Sequence, residues 1–560
     1  VYISAGWDEV SAKEHPEWRA HDRYPWTPYK EPGYTNLCFN TGYLDLLIEQ
    51  TKEIVSSFDL DGLFFDVCTE RVCLCGKCLA DMKRRGIDTE NDAEILPFAR
   101  EVYAGYYRSV NEAIHAIKPG LPIFHNCGHI RRGRRDLVAS HTHLELESLP
   151  TGGWGYDHFP LSVAYAQQFG KEILGQTGKF HTHWGEFGGY KAVNALIYES
   201  ALMIANGAKC SVGDQLHPLG AMDEATYKLI GAAYERVEER EAYCDGAERI
   251  ADVGLLSQEA MQGVHNHPAD VGANRVLLEG HYLYRVLDAE SDFTDLKAII
   301  LPDTAALNET LVNRLRDFAN GGGKLLASGV SGLHDGAFAF DFGCAYAGKS
   351  AFEESFIDLD FAEDFPAAIA VLYGRRHRLD ADESAVLAYG CDPYFNRTKE
   401  HFCSHQHAPA NHASRRPGIA EGRDGIYIGW DIFEDYAKMG SVTTKKTVVA
   451  MLDRLLGENK RVTTSLPAQG IVTLTAQRDR NRYVSHFLYA SPVRRGEKFE
   501  VIEDVNPLHG IAVRLKTDER IRRVYLAPEQ EPLDFLQSES GGISFVIPTL
   551  WCHAVVVLEY

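Results

Sequence analysis

From residue 1 to about residue 243, short apolar runs alternate with longer stretches whose apolar positions recur every three or four residues. This is the pattern of βα units around a parallel sheet. It predicts strands at residues 1–6 (VYISAG), 62–67 (GLFFDV), 122–128 (PIFHNCG), 143–147 (HLELE), 172–178 (EILGQTG) and 208–214 (AKCSVGD), with helices at 43–58, 99–117 and 191–205 between them. A second alternating region runs from about 249 to 456, with buried strands expected at 251–257, 298–303 and 324–328 and a helix at 308–319. From about 468 the period changes to two, in GIVTLTA, RYVSHFLYA, IRRVYLA, ISFVIP and HAVVVLEY, which predicts strands without intervening helices.

The expected architecture is therefore α/β with three domains. Residues 1–245 form a catalytic (β/α) barrel of the TIM type, 246–462 a Rossmann- or flavodoxin-like domain with an open doubly wound sheet, and 463–560 a small β-sandwich. A closed barrel has eight strands and six are counted, so two are expected to precede Val1. The run Gly321–Gly322–Gly323 follows a helix, whereas a dinucleotide loop joins a strand to a helix start; it reads as a helix end and turn, and the middle domain as structural.

Composition narrows the function. At 560 residues with a net charge of −22, the chain lacks the basic surface that nucleic acid needs. No apolar run suits a membrane span, and no cofactor is expected. Twelve cysteines scattered through a long chain point to a reducing cytoplasm rather than to a disulfide framework. Cys73, Cys75 and Cys78 are spaced for one structural zinc ion if Cys68 or Cys38 adds a fourth ligand; free thiols are the favoured reading. The histidines within residues 394–412 and the basic run at 131–135 read as an ordered loop and a solvated loop.

In a barrel, side chains at the C-terminal strand ends share one mouth. Those positions hold Asp66, His125, Asn126, Glu145, Glu147, His181, His183, Trp184, Glu186, Asp214 and His217, with Trp7 and Trp154 nearby. Glycosidic cleavage needs one carboxyl group to protonate the leaving oxygen and a second to attack or stabilise the anomeric centre. Asp66 closes the apolar run 62–65, where an acid is costly unless paired or used, although a structural capping acid is the competing explanation. Its partner is Glu147 or Glu186, with Glu145 behind them. The histidines, Asn126 and Asp214 would hold sugar hydroxyls, and the tryptophans would pack on the ring.

Six segments in order, YISAGWDE, HPEW, DGLFFDV with CLCGKC, ELESLPTGGWGYDHFP, GKFHTHWGEFGGYK and GAKCSVGDQLHP, resemble a glycosyl hydrolase barrel that is joined to a β-galactosidase-type trimerisation domain in a group of bacterial α-L-fucosidases. The resemblance implies a retaining exo-glycosidase releasing terminal α-L-fucosyl residues, with Asp66 as nucleophile and a homo-oligomer formed through the middle domain. Members of that family begin with two further βα units. The alternatives are an exo-β-galactosidase on the same architecture, a catalytically silent carbohydrate-binding scaffold, and an oxidoreductase, which the missing phosphate loop disfavours.

Overall fold

The computed structural model describes residues 1–23, 33–359 and 368–560, in a mixed α/β fold of two compact units. The first comprises residues 1–130, 134–147 and 169–174, and the second 131–133, 148–168 and 175–560.

In the first unit, Tyr2–Ser4, Leu63–Asp66 and Ile123–His125 form a parallel sheet in that order, with Ser4 beside Asp66 and Phe65 beside His125. The helix Tyr43–Ser57 buries Tyr43, Leu47, Thr51 and Val55, one side chain per turn. These pack with Leu63 and Phe65 from the sheet, and with Tyr106, Val110 and Ile114 from the helix Asp92–Ile117, into one core. That second helix begins seven residues before its expected start because Asn91 caps it, accepting from the Ala93 N–H; Pro97 near its start masks the helical pattern in the sequence. The strand Leu144–Glu147 also belongs to this unit.

In the second unit a nine-stranded sheet has a parallel half that runs Tyr284–Leu287, Val253–Leu256, Ala298–Leu301, Lys324–Ser328 and Gly425–Ile428. Arg416–Glu421, Val386–Cys391, Ser355–Asp358 and Ile369–Leu372 then continue it in antiparallel fashion. The parallel half has the strand order, second beside first and then third, fourth and fifth, of the open doubly wound sheet that the sequence pattern predicts, and the antiparallel half is an extension that the pattern does not predict. Glu421 and Gly425 are too close in the chain for a crossover helix, so their strands can pair only as a hairpin. The helix Glu309–Asn320 ends at Gly321, as expected.

Two antiparallel sheets make up the C-terminal part of this unit. One contains Arg482–Leu488 and His553–Glu559, the other Leu508–Lys516 and Gly542–Leu550. Leu474, Phe487 and Val556 from the first pack with Val513, Phe545 and Ile547 from the second in a shared core.

The basic run at 131–135 is not a solvated loop. Arg132 is 3% exposed, with its guanidinium on Glu259 and Ser257, and Arg134 is bonded to Glu70 and Asp136. A buried guanidinium persists only when paired in this way. Among the described residues no helix is long and apolar enough to cross a membrane.

Candidate active site

The site grows from the end of one strand. Alternation along Leu63–Asp66 sends Leu63 and Phe65 into the core and leaves Phe64 and Asp66 on the opposite face. The next residue, Val67, has φ of 59°, a left-handed conformation that is costly for a β-branched side chain and that recurs at functional sites. Opposite it only glycine fits: a Cβ on Gly6 would lie 2.1 Å from the Val67 carbonyl oxygen. The turn directs the Val67 N–H back onto Asp66 Oδ1 at 2.8 Å.

Asp66 is held from three directions. Besides Val67, Asn126 Nδ2 donates to Oδ1 at 2.9 Å and the Tyr2 hydroxyl donates to Oδ2 at 2.5 Å. The same Asn126 nitrogen donates its other hydrogen to Glu147 Oε2 at 2.9 Å. The Gly128 N–H, 3.0 Å from Asn126 Oδ1, fixes which end of the amide faces the acids. Asn126 is itself clamped, donating its N–H to the Phe65 carbonyl while its own carbonyl accepts from Cys68.

Asp66 Oδ1 and Glu147 Oε2 each lie 2.9 Å from one nitrogen, so these two oxygens are no more than about 5.8 Å apart, a spacing compatible with the ~5–5.5 Å of a retaining pair. Burial, reinforced by the Asp66 charge and opposed by the Asn126 hydrogen bond, pushes the Glu147 carboxyl up to about 7. A carboxylic acid that is half protonated at neutral pH can both give and take a proton.

The other expected first-unit residues lie elsewhere in their local networks. His125 is fully buried, with one ring nitrogen on the Tyr106 hydroxyl at 2.9 Å and the other on Asn111 Oδ1 at 2.9 Å. No ring nitrogen remains for a sugar hydroxyl, and this corrects its expected role: it is a packing residue. Asn126 likewise spends both amide hydrogens on the acids, so it positions carboxylates rather than donating to a hydroxyl. Glu145 bonds His143 at 2.8 Å, and Trp7 donates to Asn36 at 2.9 Å.

In the second unit, Glu186 is turned into its own loop. It accepts the His181 and Thr182 N–H groups, each at 2.6 Å, and the Thr182 hydroxyl. Burial alone would raise its carboxyl, but these hydrogen bonds hold it below the usual value, which suits an ionised loop brace and not a proton donor. The Trp184 ring rests on Gly213, where a Cβ would meet it at 2.4 Å. Lys179, which the sequence pattern did not single out, is buried with its ammonium 3.8 Å from Asp214 Oδ1 and 4.4 Å from the Tyr190 ring centre. His181 packs near Phe499, Trp154 against His158 and His217 near Phe187, while His183 is exposed.

The cysteines also resolve. Cys38, Cys73, Cys75 and Cys78 are all buried, with their sulfur atoms within 4.8 Å of one another. A zinc tetrathiolate with Zn–S of about 2.3 Å has sulfur–sulfur edges of about 3.8 Å, and Cys38 and Cys78 stand at 3.5 Å. Cys68 is outside the group, bonded to the Tyr106 hydroxyl. Hydrogen bonds from Cys38, Cys73 and Cys78 drive Cys75 well below the ordinary thiol value, and it precedes the helix Gly76–Arg85, whose N-terminal dipole favours a thiolate. The donor set fits a structural zinc ion, and it leaves no open coordination position for catalysis.

No protein-family model matches the chain, and no curated protein sequence does. Among solved structures, the chain is similar to α-L-fucosidase isoenzyme 2 from Paenibacillus thiaminolyticus, with a TM-score of 0.96 and 48% identity over 100% of this chain and 87% of that one. The β-galactosidase of Bacillus circulans sp. alkalophilus shares the fold at a TM-score of 0.68 and 11% identity, covering 100% of this chain and 88% of that one. That of the haloarchaeon Halorubrum lacusprofundi does so at 0.61 and 15%, with the same coverage. Identity of 48% sustained over the whole chain shows that this protein belongs to the bacterial family of the Paenibacillus α-L-fucosidase.

Proposed function

We propose that the protein is a retaining exo-α-L-fucosidase in which Asp66 is the nucleophile and Glu147 the acid/base. The observation that carries this reading is the single Asn126 nitrogen shared by both carboxylates, together with the raised Glu147 carboxyl. Asp66 attacks the anomeric carbon while Glu147 protonates the departing oxygen; Glu147 then takes a proton from the water that releases fucose. Within the first unit Glu145 and Trp7 are read as further sugar contacts beside the two acids, and Trp154, His181, His183, Trp184, Asp214 and His217 of the second unit are each read as sugar-binding side chains. The parallel strands of residues 1–245 are read as part of a (β/α) barrel, residues 246–462 as the oligomerising domain and 463–560 as the sandwich. Twelve cysteines, none of them in a disulfide, suit a reducing compartment.

A panel of nitrophenyl glycosides tests the reading. Turnover is expected with the α-L-fucoside and to be at least a hundredfold slower with the β-D-galactoside; the reverse order would make the protein a β-galactosidase.

Asn126→Ala removes the hydrogen bond that opposes the rise of the Glu147 carboxyl. The basic limb of the kcat/KM profile, where Glu147 loses its proton, is expected to move to higher pH while the maximum rate falls by about ten- to a hundredfold. An unmoved basic limb would separate Asn126 from the acid.

The four-cysteine group is proposed to hold one structural zinc ion that anchors the chain between Asp66 and the helix Gly76–Arg85. Metal analysis of the purified protein should find about one zinc per chain, and Cys75→Ser should lose it with a lowered Tm. A metal-free wild type with an unchanged Tm in chelator would leave the four as thiols.

A further inference from the structure

The two oxygens of Asp66 are not equivalent. Oδ1 accepts from both Val67 and Asn126, which fills its two in-plane lone pairs. Among the described residues Oδ2 accepts from the Tyr2 hydroxyl only, at 2.5 Å. One lone pair of Oδ2 therefore stays open, and attack on carbon needs an open lone pair. Tyr2 occupies the other. Its ring stands beside Phe64 in the parallel register and stacks on it with centroids 5.7 Å apart, so the phenol is aimed by the sheet. Desolvation at the hydroxyl end of an otherwise exposed side chain and the adjacent Asp66 charge push the phenol far above its usual value, which keeps it a donor at every working pH.

We propose that Tyr2 is a positioning residue that leaves Asp66 Oδ2 as the attacking atom and makes it a good leaving group in the second half of the reaction. This rests on the reading of Asp66 as nucleophile. In the first step the Oδ2–anomeric carbon bond forms, the bond to the aglycone oxygen breaks, and the Glu147 proton goes to that oxygen. In the second step water oxygen bonds to the anomeric carbon and its proton goes to Glu147. The carbon–Oδ2 bond breaks, and its electron pair returns to the carboxylate. A hydrogen bond to Oδ2 is stronger to the carboxylate than to the ester. It therefore favours the second step over the first, and its loss should trap the fucosyl-enzyme.

The test is Tyr2→Phe in the full chain, with an activated aryl α-L-fucoside that makes the second step limiting. Tyr2 is 61% exposed, so the variant should fold, which its Tm verifies. The expected result is a fall in kcat of about tenfold or more, with kcat/KM held within about threefold. A burst of phenol near one equivalent per site, a fucosyl adduct on the intact protein, and faster turnover on adding azide should accompany it. A purely structural role would lower kcat and kcat/KM together without a burst, and that result overturns the proposal, as would wild-type kinetics. In parallel, wild-type enzyme is labelled with a 2-deoxy-2-fluoro-fucosyl fluoride. Label on Asp66 without a burst in the variant defeats the role of Tyr2 alone, whereas label on another residue defeats the nucleophile assignment and this proposal with it.

Discussion

Replacing Asp66 by Gly should lower kcat on an aryl α-L-fucoside by about four orders of magnitude or more, and added azide should restore turnover by giving the fucosyl azide of inverted configuration. The expectation follows from where Asp66 sits. It lies at a strand end, behind a strained Val67 turn and within three hydrogen bonds, with its carboxylate 2.9 Å from the amide nitrogen that also holds the proposed proton donor. Glycine removes the attacking oxygen and leaves space for a small anion to approach from the same side. The variant should retain its fold, because the core on the other face of the strand, Leu63 and Phe65, is untouched. Turnover within tenfold of wild type, measured by steady-state release of nitrophenol at an unchanged Tm, would remove Asp66 from the chemistry.

Glu147→Gln carries the second large effect, in activity and in stability. Loss of the acid/base should cost about two to four orders of magnitude on substrates with poor leaving groups, and much less with a dinitrophenyl group that departs without a proton. Azide should then yield the fucosyl azide of retained configuration, the opposite of the Asp66 product. The stability effect has a definite sign. The folded carboxyl titrates near 7 against 4.5 for the ordinary group, chiefly because of burial, so the native state binds the proton more tightly than the unfolded chain. Its contribution is complete below about pH 4.5 and is lost as pH rises through about 7, a change of about 3 kcal/mol. Wild type should therefore lose stability across that interval relative to Glu147→Gln, which cannot ionise. Urea titrations of both proteins at pH 5 and pH 8 check this, and an equal pH dependence would place Glu147 in water instead of in the protein.

Much of the site is legible in the sequence one residue at a time. Asp66, Asn126 and Glu147 each stand at or near the C-terminal end of an expected strand segment, and the strands Leu63–Asp66, Ile123–His125 and Leu144–Glu147 lie inside those segments. The choice between Glu147 and Glu186 is not legible. Both are half-buried acids near strand ends, and they differ in what surrounds them: one shares an amide nitrogen with a second carboxylate, the other is saturated by the N–H groups of its own loop. His125 shows the same limit, since its neighbours in the chain resemble those of a binding residue while Tyr106 and Asn111 consume both its nitrogens.

By itself the amino-acid pattern determined the periodic features: six strands of the first region, the helices Tyr43–Ser57 and Val193–Ala205, the helix stop at Gly321 and the switch to period two in the tail. These are local, because burying one face of a strand or helix imposes a repeat on consecutive residues. Tertiary structure decided the partnerships. It placed Tyr2 on an acid 64 positions away, Asn126 between acids 60 and 21 positions away, and Cys38, not Cys68, with the C-x-C-x-x-C cysteines. The same holds for the antiparallel half of the large sheet. Hydrogen bonds and thiolate clusters act across space over a few ångströms, and no repeat along the chain records which distant residues folding will bring that close.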